Sequence, residues 1–109
     1  MAKNGIYTPY DDEGFPTNAI FTASIAASAA TTVVKGSAGR VARVVVTTAG
    51  TSTDNATIYD NATTGSGTIL AVVAGGGTVG AVTAIDMPAV NGITVVNVAS
   101  GPAFTVGYS

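Results

Sequence analysis

The chain has no cysteine, no histidine and no tryptophan, and a single leucine, Leu70. Without cysteine there is neither a disulfide framework nor a thiolate metal site. Without histidine or cysteine, the side chains that most often exchange protons or attack as nucleophiles near neutral pH are missing. One leucine among many valines and threonines argues against extensive helix, because β-branched side chains lose rotamer freedom in a helical turn. Charge is scarce as well: 9% of residues are charged, with a formal net charge of -2, against about 25% in typical soluble domains. The surface must therefore be built from Thr, Ser, Asn and Gly, which hydrate well but repel neighbouring copies weakly.

Within its 109 residues, Val, Ile, Leu and Phe supply about a quarter of the chain, opposite to the signature of disorder. A single domain of this length buries roughly two thirds of the surface its unfolded chain exposes. The most apolar window, Ala19 to Val34, is broken by Thr22, Ser24, Ser28, Thr31 and Thr32, so no membrane span is expected. Acidic residues Asp11, Asp12 and Glu13 precede that window, so no secretory signal is read. Asn55-Ala56-Thr57 and Asn61-Ala62-Thr63 match the glycosylation triplet, a chance match in a Thr-rich chain without a secretory route.

Residues 1–18, "MAKNGIYTPYDDEGFPTN", show neither helical nor strand periodicity and read as an extended arm, with Ile6, Tyr7, Tyr10 and Phe15 as candidate anchors on a neighbour. Residues 19–109 read as one all-β domain, an antiparallel β-sandwich of jelly-roll-like form. Strands are expected near Ala19 to Ala26, Thr31 to Lys35, Arg40 to Thr48, Ala56 to Asp60, Thr68 to Val73, Val79 to Asp86, Ile93 to Val98 and Ala103 to Tyr108. Between them lie turn clusters such as Gly36 to Gly39, Gly75 to Gly77 and Pro88 to Gly92. The segment "NAIFTASIAASAA" is the one helix candidate, and its β-branched residues and context favour strand.

In "KGSAGRVARVVVTTAG", simple alternation puts Val41 and Val45 on one side of a strand and Ala42, Val44 and Val46 on the other, all apolar. "TILAVV" and "ITVVNV" are apolar on both sides too. Two sheets bury only their facing surfaces, so the excess predicts self-association, as a homotrimer, through an outer strand face drawn from Val41, Val45, Val96 and Val98.

Little in the chain suggests chemistry. Ser37 and Ser66 lack an evident base, and Gly65-Ser66-Gly67 reads as a turn. Asp54, Asp60 and Asp86 could serve a glycosidase as paired carboxylates, but Asp54 and Asp60 border turns, where aspartate commonly bonds its own backbone; with Asn55 and Asn61 they could hold calcium, but no EF-hand spacing or acidic repeat is present. Neither cofactor nor metal is expected. Lys35, Arg40 and Arg43 are too few, and lack an aromatic platform, for nucleic acid. They suit salt bridges to an acidic neighbour, for which Asp11, Asp12 and Glu13 are natural partners.

The segment "TTVVKGSAGRVARVVVTTAGTSTDNATIYDNATTGSGTILAVV" and the ending "IDMPAVNGITVVNVASGPAFTVGYS" resemble small all-β virion proteins of tailed bacteriophages, of the capsid decoration or cement kind. The resemblance spans Thr31 to Ser109 and rests on a G-x-x-G-R turn before a valine strand, "TIYDN" followed by Ser-Gly-Thr, and an "NG" turn before a last strand ending in Tyr-Ser. It implies a non-enzymatic protein on the capsid exterior, often trimeric, whose partners are the major capsid protein and itself. It carries over no catalytic residue. A glycan-binding module of a phage tail or surface is the alternative, and a small hydrolase is a third.

Overall fold

The computed structural model describes residues 21–109, which fold into eight β-strands and, among the described residues, no helix. The strands are β1 (Phe21–Ile25), β2 (Thr31–Lys35), β3 (Gly39–Thr48), β4 (Ala56–Asp60), β5 (Thr68–Val73), β6 (Val82–Ala89), β7 (Ile93–Val96) and β8 (Ala103–Tyr108). Residues 1–18, and with them Ile6, Tyr7, Tyr10 and Phe15, lie outside the described residues.

Two four-stranded antiparallel sheets result, ordered β1-β8-β3-β6 and β2-β7-β4-β5. Their apolar sides share one core. Ile25, Val41, Val44, Val46, Phe104 and Val106 of the first sheet meet Ile58, Leu70, Val73, Ile93 and Val95 of the second. Each fully buried side chain of this size contributes about 1.5–3 kcal/mol, so the arrangement is sandwich-like and held by its middle. The pairings nest: β4 lies beside β5, β3 beside β6, β2 beside β7 and β1 beside β8.

Strands β3 and β6 are among those that differ from the reading of the sequence. Val41, Val44 and Val46 are all buried in the core, so Val41 does not share a side with Val45. The cause is a bulge: Val41 pairs with Tyr108 but Arg43 with Gly107, so β3 carries one extra residue at Ala42 and its facing is reset there. Downstream, β6 runs through Pro88 instead of ending at Asp86. As an edge strand it can hold a proline, whose missing N–H faces away from the sheet. Asp86 sits in the irregularity of the β3–β6 pairing with φ 51°, a left-handed conformation that aspartate tolerates better than most residues.

Candidate functional site: loop ties and apolar edges

The polar side chains singled out by type turn out to brace loops. Asp60, at the end of β4, accepts hydrogen bonds from the backbone N–H groups of Val90 (3.1 Å), Asn91 (2.8 Å) and Gly92 (3.3 Å), fastening the β6–β7 turn to the other sheet. The Asn91 N–H, opposed by desolvation and helped by the Val90 and Gly92 N–H groups, holds the Asp60 carboxyl below the usual carboxylate range. Asp86 is lowered too, by the hydrogen bond and charge of Arg40, whose Nε lies 2.7 Å from its Oδ1. A general acid at neutral pH needs the opposite displacement. Among the described residues no group of three or more acidic side chains could hold a metal ion.

Asn61 closes its own loop. Its Oδ1 accepts from Thr63 N and Thr64 N, and its Nδ2 donates to Ser66 O (3.1 Å). The buried Thr94 hydroxyl donates to Asn61 O at 2.7 Å, drawing the β4–β5 loop onto the outside of the second sheet. There Gly65 lies so close to Val96 that a Cβ would overlap its Cγ2.

At the opposite end of the strands, the buried Asn97 donates from Nδ2 to Ala26 O and Pro102 O, both at 2.8 Å, and accepts from Val98 N. It thereby joins the β1–β2 and β7–β8 loops, which a buried, satisfied amide does at a net gain of about 1 kcal/mol per bond. Gly50 N donates to Gly75 O and Thr51 N to Ser100 O, so the β3–β4, β5–β6 and β7–β8 loops share one tied end. Sequence reasoning missed Asn97, whose only signal was an amide interrupting a valine run just before Ser100-Gly101-Pro102.

Of the strand-face valines, Val41 is fully buried and offers nothing to a partner. Val45 is half-buried on the outside of the first sheet, opposite Thr105 and Val82. Val96 is half-buried on the outside of the second sheet, beneath Gly65. Val98 is exposed but follows β7 in a loop. The four therefore share no single face. Apolar exposure gathers elsewhere: among the described residues, five large apolar side chains have more than half their surface open, and four of them, Ile69, Val72, Val79 and Val82, belong to β5, β6 or the loop joining them. Between those two edge strands is a cleft of about 180 Å³, whose lining includes Val44, Val46, Val72, Val73, Ala81 and Ile85.

Tyr59 is half-buried against the Gly65 loop, so it presents no open stacking platform for a sugar. No helix among the described residues is long and apolar enough to cross a membrane. Comparison of the chain with protein-family models, with curated proteins and with solved structures finds no match.

Proposed function

We propose that this chain is a structural protein of a tailed-bacteriophage virion, a capsid decoration or cement protein that holds the major capsid protein, and copies of itself, by surface contacts on the outside of the head. The observation that supports it is the division of labour among side chains. The polar groups with chemical potential, Asp60, Asn61, Asp86 and Asn97, are committed to bracing the domain. What remains for a partner is surface: the outer face of the first sheet, with Thr22, Ser24, Arg43 and Thr105, and the apolar edges of β5 and β6. A rigid, weakly charged shell of this kind suits a module that gains affinity from many weak contacts repeated over a lattice.

We further infer that the domain is a jelly roll. The nested pairing, with every connection except β4–β5 crossing between sheets, is that of one long hairpin wound on itself. Residues 1–18 act in this reading as the arm that reaches the shell, with Ile6, Tyr7, Tyr10 and Phe15 as anchors. Co-sedimentation with undecorated capsids tests the assignment. The intact protein is expected to pellet with shells, and Tyr7→Ala with Tyr10→Ala to pellet less while keeping the same circular dichroism. No pelleting by the intact protein would overturn the capsid assignment, and equal pelleting by both would overturn the arm.

A further inference from the structure

We propose that Asn91 is a modification site: its side-chain amide is lost by spontaneous deamidation through the backbone nitrogen of Gly92, at a rate set by the carboxylate of Asp60. This goes beyond the capsid reading and does not depend on it. Asparagine is chemically labile, and asparagine before glycine especially so, because a following residue without a Cβ leaves its nitrogen open to the asparagine side chain. The sequence has two such pairs, Asn4-Gly5 and Asn91-Gly92, and the first lies outside the described residues. In the second, Asn91 is exposed and Gly92 is buried. Packing requires this glycine: a Cβ at position 92 would stand 2.7 Å from Lys35 O and from Ala62 Cα, and 2.8 Å from Asn61 O. The glycine half of the pair is therefore fixed by the fold, and restraint on the reaction has to come from neighbouring groups.

Asp60 supplies that restraint. In the reaction Gly92 N gives up its proton and bonds to Asn91 Cγ, the bond from Cγ to Nδ2 breaks, and the nitrogen leaves as ammonia. Water then opens the cyclic imide at one carbonyl or the other, leaving aspartate or isoaspartate, so the net change consumes a water and releases an ammonia. The Gly92 N–H that must be given up donates to Asp60 Oδ1 at 3.3 Å, and the N–H groups of Val90 and Asn91 donate to the same carboxylate. Gly92 is held at its carbonyl too, where Gly92 O accepts from Asn61 N at 3.2 Å. The attacking nitrogen is thus fixed in place, and the negative charge that builds on it as its proton departs faces an anion. Deamidation waits on the opening of this clasp, and its product works against reclosure. An isoaspartyl link adds a backbone atom between residues 91 and 92, where Gly92 has no spare room. Either product also adds a second carboxylate to the turn that Asp60 holds, so the tie between β4 and the β6–β7 turn loosens one way, with time.

Deamidation of the full-length protein is followed at neutral pH, at a warm temperature well below the unfolding midpoint, by digestion and mass spectrometry, which separates the peptide holding Asn91 from the one holding Asn4. A synthetic peptide of residues 88–95 gives the rate without the fold. The native protein is expected to deamidate at Asn91 about tenfold or more slower than the peptide, and Asp60→Asn about tenfold faster than the native protein, the effect of weakening a hydrogen bond to a charged group. Val106→Ala removes buried core volume and keeps Asp60, so it is expected to stay near the native rate while lowering stability. Protein already deamidated at position 91 is expected to exchange the amides of Val90 and Gly92 faster, with the strands unchanged. Equal rates in the native protein and Asp60→Asn would overturn the proposal, as would a native rate equal to that of the peptide. An acceleration by Val106→Ala as large as that by Asp60→Asn would assign the rate to global opening and overturn the role of Asp60. Modification at Asn91 in neither protein would remove the site, and unchanged exchange after deamidation would overturn the loosening of the turn.

Discussion

Asp60 is half-buried at the end of β4, and its carboxylate gathers three consecutive backbone N–H groups from a turn in another part of the chain. Those bonds favour the ionised form and lower its pKa in the folded state. A group depressed in this way stabilises the fold at pH values above its unfolded pKa, about 4 for aspartate, and loses that contribution as pH falls through the folded value. The Arg40–Asp86 pair acts with the same sign. Asp60→Asn presents an amide to the same N–H groups and cannot titrate, so its deficit relative to the native protein is expected to be largest near neutral pH and to shrink as pH drops below about 4. Urea unfolding midpoints measured between neutral and acid pH check this, and a deficit that stays constant across the range would refute it. Sequence reasoning expected Asp60 to bond its own backbone at the adjoining turn, whereas its partners are backbone N–H groups of residues 90–92. It could not name the turn, because the 90–92 segment reaches Asp60 only through sheet pairing. Asn97 was hidden for the same reason, since its bond to Ala26 spans 71 residues.

At the scale of the element, strand positions were legible because alternating Val and Thr runs end at Gly, Pro and Asn clusters. The facing within strands was legible only where no bulge intervened: β8 alternates as read, with Phe104 and Val106 inside, while Ala42 resets β3 and Leu70 resets β5. Nor could the pattern show that the chain would cover its own outer face. Across the second sheet, Val33, Thr94, Tyr59 and Ile69 form one outward row, and Thr31, Val96, Thr57 and Val72 another. The 61–67 loop folds over the middle of these rows, held by Thr94 and allowed by Gly65. Gly65→Val puts a branched side chain where a Cβ already meets Val96 Cγ2. The loop must lift, at a cost of about 1–3 kcal/mol for overpacking. Faster amide exchange at Thr63 and Thr64, whose N–H groups bond Asn61 Oδ1, is the expected reading, with the strands unchanged. Unaltered protection there would show that the loop does not depend on the missing side chain.

For the whole molecule, the order of strands in the sheets decides how the chain can fold, and that order was the least legible feature. Antiparallel pairing constrains direction and facing but not which strands become neighbours. The nested arrangement leaves β8, last in the chain, in the interior of its sheet between β1 and β3. It is the only described partner of β1, and its Phe104 and Val106 are fully buried against Val44, Val46 and Ile25. Two such side chains alone represent about 3–6 kcal/mol of burial. Releasing β1 and uncovering one side of β3 adds to that, against a total stability of about 5–15 kcal/mol for a typical domain. A chain ending at Pro102 is therefore expected to lose the whole fold, not one strand of it, because no sub-core survives on the remaining strands of the first sheet. Deleting Ala103 to Ser109 and following urea unfolding by circular dichroism tests this. The shortened protein should show no cooperative transition, and a retained sharp transition would mean that the β2-β7-β4-β5 sheet holds together without the strands that cover it.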